Sequence, residues 1–259
     1  MKPMLCHKAT EEEARRIVIS PNLWVIENKY DGVRAYIEDG KLYDRRGADI
    51  TRKFPEFVGL DKMKGTFDGE IIAQNGQFND VSGRMHLKDK FTISLIAKRD
   101  AAKLVLFDMP SVKGSLEQRR DVLCSVQLPE WASVAEQYEA TPEKFEQLWS
   151  KILADTAEGL VLKHKNMVYE FGKRSNSWLK VKAFAETIAL FTKYEVTPRG
   201  LTIETPDGRR VVVNGEQSIA LKAALDKGSV ACEIQYLPQL NSEAWRFPSF
   251  RGIAKVIPK

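Results

Sequence analysis

The sequence predicts an α+β protein in two parts, a strand-rich domain with several helices over residues 1–184 and a small β-barrel over residues 185–259. Three observations carry this. The chain has 259 residues, more than one compact core usually holds, which favours two domains. Runs of strand-forming residues closed by Asp-Gly pairs alternate with segments that open on helix-capping residues. After about residue 184 the texture changes to short strands around a single helix.

The elements follow in order. Thr10 with Glu13 three residues later is a capping-box pattern, so "ATEEEARRIVIS" opens a short helix that Pro21 ends. "LWVIENKYDGVRAYIEDGKLYDRRG" reads as a meander, with turns at Asp31-Gly32 and Asp39-Gly40. "GTFDGEIIA" and "KLVLFDM" read as further strands. Ser115 with Gln118 caps the helix "LEQRRDVLC". Thr141-Pro142 starts a helix whose Phe145, Leu148, Trp149 and Ile152 recur at helical spacing and belong to a core. Strands "EGLVLKH" and "SWLKVKAF" close the domain. Beyond it, "TIALFTKYEV", "GLTIETP" and "RRVVVNG" are three strands and "EQSIALKAAL" a helix; "SVACEIQYL" and a last strand near "GIAKVI" follow. Three strands, a helix and two strands is the order expected of an OB fold, with a generic small barrel as the alternative.

Composition narrows the chemistry. Hydrophobic content of 43% and charged content of 29% suit a globular protein, and no apolar run is long enough for a membrane span. The net charge of +5 favours a polyanionic partner, weakly. Cys6, Cys124 and Cys232 are odd in number and far apart, which speaks against a disulfide framework or zinc site and fits a reducing cytoplasm. His7, His86 and His164 are equally scattered.

Period-two alternation puts Val25, Glu27, Lys29 and Asp31 on one strand face, which is unusually polar. A solvated face accounts for Glu27. Lys29 is either an ordinary surface residue or a nucleophile whose neutral form is favoured by burial or nearby cations. Lys180 and Lys182 project from one face of "SWLKVKAF", as if to hold an anion such as phosphate or to protect an edge strand. Glu70 and Glu158 end apolar runs, as metal-binding carboxylates or as ion-pair residues.

In order along the chain, these pieces resemble the ATP-dependent polynucleotide ligases of the covalent nucleotidyltransferase superfamily, in particular small DNA ligases of phages and bacteria. "KYDGVR" matches K-x-D-G-x-R, and "DRRG" is similar to S-R-x-G with Asp44 in place of serine. "FDGEI" matches the D-G-E motif and "LVLFDM" the F-D motif. "EGLVLK" matches E-G-x-V-x-K, and "LKVK" matches L-K-x-K. The resemblance covers residues from about 20 to the C-terminus. It implies a nucleotidyltransferase domain of ATP-grasp-like antiparallel sheets with helices over residues 1–184, then an OB-fold barrel over 185–259. It also implies ATP and Mg2+ as cofactors and nicked duplex DNA as partner, for a monomer without membrane attachment.

By the same resemblance, Lys29 attacks the α-phosphate of ATP and holds AMP, with Asp31 of the same motif in the catalytic set. Glu27 contacts the adenine amino group and Phe107 stacks on the ring. Arg34 and Glu70 bind around the ribose, Glu70 also near metal, and Glu158 is the metal-binding glutamate. Lys180 and Lys182 hold phosphates, Arg174 is a phosphate contact, and Arg45 meets the nick or the nucleotide. Larger relatives end in an R-x-D-K motif that this chain lacks, leaving Arg246, Arg251 and Lys255 as candidates for that cation. The helical DNA-binding domain of larger ligases is expected to be absent. An RNA ligase or capping guanylyltransferase of the same superfamily, or a non-catalytic OB-fold binding protein, are the alternatives.

Overall fold

The computed structural model describes residues 2–20, 22–74, 78–155, 157–239 and 242–254. The chain divides into two units, Met1–Lys151 with Glu158–Val181, and Ile152–Ala157 with Lys182–Lys259. In chain order the elements up to the end of the first unit are β1 (Leu5–Ala9), α1 (Glu11–Ile17), β2 (Trp24–Asn28), β3 (Val33–Glu38), β4 (Lys41–Asp44) and β5 (Thr66–Ala73). Then come α2 (Phe78–His86), α3 (Lys90–Arg99), β6 (Ala102–Asp108), α4 (Leu116–Ser125), β7 (Ala132–Val134) and β8 (Gln137–Glu139). α5 (Pro142–Ala154), β9 (Gly159–His164) and β10 (Arg174–Lys182) complete it.

Both capping boxes form. Thr10 Oγ1 accepts from the Glu13 amide at 3.1 Å while Glu13 Oε2 accepts from the Thr10 amide at 2.7 Å, and Ser115 and Gln118 do the same for α4. Helix α1 ends at Ile17, and Pro21, expected to end it, lies outside the described residues.

The strands make two five-stranded sheets, ordered β1-β10-β9-β2-β8 and β4-β3-β5-β6-β7. This corrects the meander. β3 and β4 pair as a hairpin, but β2 and β3 belong to different sheets, so Asp31-Gly32 is a crossover and not a hairpin turn. The sheets are also not purely antiparallel, because β1 runs parallel to β10 and β6 parallel to β7. Strand β1 and helices α2 and α3 carry no strong sequence signal; β1 is fixed by its partner β10, not by its own pattern.

Alternation along β5 and β6 decides what faces what. Phe67, Ile71, Leu104 and Leu106 face a core with Ala35, Ile37, Leu42, Phe54 and Phe57. On the opposite side Val105 and Phe107 pack against Val25 and Trp178 of the other sheet, together with Met4, Leu116 and Met167. The candidate site residues Glu27, Arg34, Glu70 and Phe107 lie on strands that border this seam.

The second unit contains β11 (Ala185–Phe191), β12 (Lys193–Thr197), β13 (Gly200–Glu204), β14 (Arg210–Val213), α6 (Glu216–Leu225), β15 (Val230–Gln239) and β16 (Ser242–Ile253). Its strands form two three-stranded sheets, β11-β15-β16 and β12-β13-β14, around a core of Phe191, Leu201, Ile203, Val211, Leu221, Cys232 and Ile234. The structure differs from the expected barrel in two ways. Four strands precede the helix, because the first run breaks at Thr192, and no ladder among the described residues closes the sheets into one barrel. The last strand ends at Ile253, so Gly252 and Ile253 of "GIAKVI" belong to it, while its residues 255–257 lie outside the described residues. Among the described residues, no helix is long and apolar enough to cross a membrane.

Candidate active site

Lys29 lies one residue past β2, not within it, and its amide donates to the Gly159 carbonyl at 2.9 Å. Gly159 has φ of 143°, a conformation open to glycine, which accounts for the glycine of "EGLVLK". The strand end and this bond aim the Lys29 side chain at Glu158, whose Oε2 accepts from Nζ at 2.7 Å. Lys29 is 20% exposed and Glu158 7%, so the pair sits at the mouth of the seam.

Gly32 serves the crossover in a different way from the expected turn. Its φ is not positive, but a Cβ there would lie 2.0 Å from the Ile71 carbonyl oxygen of β5. The chain passes from one sheet to the other so close to β5 that no side chain fits.

Glu27 is 2% exposed, which overturns the solvated-face reading. A buried carboxylate needs partners, and it has two. Gln137 Nε2 donates to Oε1 at 2.8 Å, and Lys163 Nζ lies 2.8 Å from Oε2. Lys163 is fully buried and also donates to the Phe107 carbonyl at 3.0 Å, tying the two sheets together.

From the opposite sheet, Arg34 forks onto Asp68, with Nε 2.7 Å from Oδ1 and Nη2 2.6 Å from Oδ2. Its guanidinium lies 4.6 Å over the Phe107 ring and 5.1 Å over Trp178. Asp68 also accepts from the Tyr169 hydroxyl at 2.5 Å, and that hydroxyl accepts from the Met4 amide at 3.0 Å. Burial, then the Asp68 charge, hold the Tyr169 hydroxyl far above its ordinary range. Glu70, the register partner of Arg34 across β3 and β5, is pushed up to about 7 by burial; Lys29 and Arg34 oppose that shift and Glu158 adds to it.

Cys6, Glu27, Lys29, Arg34, Glu70 and Phe107 line one cavity of about 60 Å³, beside Lys163 and Trp178. Burial raises the Cys6 thiol, so the thiolate is disfavoured there. A larger open cleft of about 720 Å³, lined by Ser115, Arg120, Gln137 and Lys165 among others, does not include Lys29, and its Lys165 is paired with Glu117 and Glu139 in the open. The residues of the sequence motifs converge on the smaller cavity.

The remaining expected residues are more dispersed. Lys180 alternates in step with Trp178 on β10, which runs between β1 and β9; the edge-strand reading of its lysines therefore fails. Lys182 falls in the second unit, where its ammonium lies 5.0 Å over the Phe247 ring and 5.8 Å over Phe184. Arg174 is exposed and donates to the Cys6 carbonyl. Arg45 is exposed after β4, where Asp44 Oδ1 accepts from the Arg46 and Ala48 amides at 2.8 and 2.9 Å. Asp31 is half-buried in the crossover. Arg246 and Arg251 lie on β16, Arg251 donating to Gln235, while Lys255 lies outside the described residues. Sequence reasoning missed Lys163, Asp68, Gln137, Tyr169 and Trp178 as site residues. The first two sit inside quoted motifs, "EGLVLK" and "FDGEI", and a buried charge within an apolar strand was the available signal.

Among the described residues, no group of three or more His, Cys, Asp or Glu side chains could hold a metal ion. Glu70 and Glu158 give two hard oxygen donors close enough to feel each other's charge. That donor set fits Mg2+, which takes a few carboxylates and fills its shell with phosphate oxygens and water.

Comparison with known proteins adds the following. The model of the ATP dependent DNA ligase domain matches residues 3–182. A DNA ligase of Staphylothermus marinus is 31% identical over 179 residues, 61% of this chain and 30% of the relative. The SPbeta prophage-derived DNA ligase-like protein LigB of Bacillus subtilis is 30% identical over 222 residues, 80% of this chain and 77% of the relative. The chain thus spans about a third of the length of the Staphylothermus marinus and Methanothrix thermoacetophila relatives and most of the prophage-derived one. A solved structure from a study of Lig E DNA ligases superposes with a TM-score of 0.77 at 22% identity, covering 98% of this chain and 99% of that one, which speaks for the fold.

Proposed function

The chain belongs to the ATP-dependent DNA ligase domain family, and from that premise we propose that it seals nicks in duplex DNA through a lysine–AMP intermediate. The observation that carries the reading is Lys29, hydrogen-bonded to Glu158 at the mouth of a cavity shared with Glu27, Glu70 and Phe107. A lysine is nucleophilic only as the neutral amine, and the Glu158 carboxylate is the proton acceptor at hand. The Nζ lone pair then attacks the α-phosphorus of ATP; a P–N bond forms and the bond to pyrophosphate breaks. AMP passes to the 5′-phosphate of the nick, releasing Lys29. The neighbouring 3′-hydroxyl attacks that phosphate and expels AMP, which closes the backbone.

The other residues take supporting parts in this reading. Glu27 accepts from the base amino group, and Phe107 offers a ring face. The cavity of about 60 Å³ is too small for a purine, and Arg34 covers the Phe107 ring at 4.6 Å, so in this reading Arg34 gives up that seat when the base stacks. Arg34 and Glu70 flank the ribose, and Asp31 shapes the crossover beside the nucleophile. Lys180, Lys182 and Arg174 meet phosphates and offset the charge that develops on them, with Arg45 toward the nick. Mg2+ at Glu70 and Glu158 would neutralise phosphate charge. We assign adenylation to residues 1–184 and duplex binding also to an OB fold over 185–259. Two small sheets around one core, with a helix between β14 and β15, support that assignment. A monomer in a reducing cytoplasm suits three free cysteines.

The test is the intact mass of the protein after incubation with ATP and Mg2+. Wild type should gain AMP. Lys29→Ala and Lys29→Arg should gain nothing, since arginine supplies no neutral amine, yet Lys29→Ala should still seal a nick supplied already adenylated. An AMP adduct on Lys29→Ala would overturn the reading.

A further inference from the structure

Gln137 belongs to no motif, yet it stands behind the base-reading end of the cavity. It lies on the edge strand β8, directly opposite Glu27 in the antiparallel ladder with β2. Its Nε2 donates to Glu27 Oε1 at 2.8 Å, while Lys163 Nζ approaches Oε2 at 2.8 Å. Glu27 and Lys163 are buried and Gln137 is half-buried. An ammonium alone acts as a point charge and leaves a carboxylate free to rotate about its last bond. A second donor on the other oxygen fixes the plane. Each oxygen then has one protein donor and keeps a free lone pair, and a carboxylate held this way can only accept.

We infer that Gln137 is a positioning residue that fixes Glu27 as a hydrogen-bond acceptor and thereby sets a preference for adenine over guanine nucleotides. The inference rests on the proposed function, in which Glu27 meets the base. Adenine offers a 6-amino group, which donates to Glu27. Guanine offers a 6-oxo group at the same place, which sets acceptor against acceptor and leaves both unpaired. Without Gln137, Oε1 loses its donor, the carboxylate turns toward Lys163, and the base loses its fixed partner.

The experiment compares adduct formation with ATP and with GTP, each with Mg2+, in wild type, Gln137→Leu and Gln137→Lys. The leucine variant should raise the KM for ATP roughly tenfold, with the KM for GTP and both kcat values within about twofold, so the preference for ATP falls by the same factor. The lysine variant keeps an N–H donor facing Glu27 and should keep the preference. If the leucine variant does not fold, Gln137→Met has a similar length without an N–H or O–H donor and should lose the preference in its place. Leucine-variant protein that melts like wild type and keeps its ATP preference within about twofold overturns the inference. So does an equal loss of kcat with both nucleotides, the mark of a structural role. Wild type that gains neither AMP nor GMP overturns the proposed function and this inference together. An adduct on wild type with unchanged preference in the variants overturns this inference alone.

Discussion

Glu70 shows how one residue reports its surroundings. Burial lifts its carboxyl from the ordinary range to about 7, although Lys29 and Arg34 both favour the charged form. The sign follows from linkage. A folded pKa above the unfolded one means that the fold favours the protonated form. That stabilisation is complete below about pH 4.5 and is lost as pH rises through about 7. Glu70→Gln, which does not titrate, should therefore gain stability relative to wild type as pH rises across this window. The gain above pH 7 should be on the order of 3 kcal/mol, and the two proteins should converge in their pH trend below pH 4.5. Denaturant melts at pH 4, 6 and 8 read this directly, and a difference that does not change with pH would contradict it. Glu27 makes the complementary case. Its polar neighbours in sequence suggest a wet face, but Lys163 and Gln137 come from strands far along the chain. A carboxylate's burial is decided by partners that its own strand does not name.

At the scale of elements, the crossover from β2 to β3 is the feature on which the site depends. It carries Lys29 off the end of one sheet and delivers Arg34 to the other, so the seam receives side chains from both. An Asp-Gly pair between two strand-like runs is the usual hairpin signal, and it misled here because the local pattern does not say which strand each run pairs with. Pairing is settled by which faces can be buried. Gly32 is retained for space, not for φ. Gly32→Ala would place a methyl against the Ile71 carbonyl, and β5 would have to retreat. The expected cost is on the order of 2–3 kcal/mol of stability, read in urea melts, with adduct formation lowered because Lys29 and Arg34 move apart. An alanine variant as stable and as active as wild type would mean that β5 yields freely. The helices behaved more simply: α1, α4 and α5 were legible from caps and spacing because both are local.

For the whole molecule, the surplus of 40 Lys and Arg over 35 Asp and Glu bears on the partner. Duplex DNA binding in the proposed function should be driven by release of counterions from phosphates. Neutralising three phosphates gives a slope of about −2.7 in log K against log salt, so raising salt fourfold should weaken nick binding roughly 40-fold. Fluorescence anisotropy with a nicked duplex measures it, and binding indifferent to salt would argue against a phosphate-tracking surface. The second unit tests a different limit of sequence reading. Its helix and most of its strands were legible, yet its first run bends at Thr192 into β11 and β12, which enter different sheets. A run of alternating residues does not announce a bend, since both halves keep period two and bury one face.

Six short motifs in order determined the family and pointed to Lys29 and to the carboxylates and cations proposed to act with it, because catalytic chemistry constrains residue identity at fixed spacing. Local signals determined the helix starts and most strand positions, because caps and alternation act within a few residues. Only the tertiary structure decided that β2 and β3 part between two sheets, that Glu27 is buried between Gln137 and Lys163, and that Asp68 holds Arg34 over Phe107. Each of those is a pairing between residues distant in the chain. A buried charge is tolerated only where such partners converge, and convergence is a property of the packed sheets.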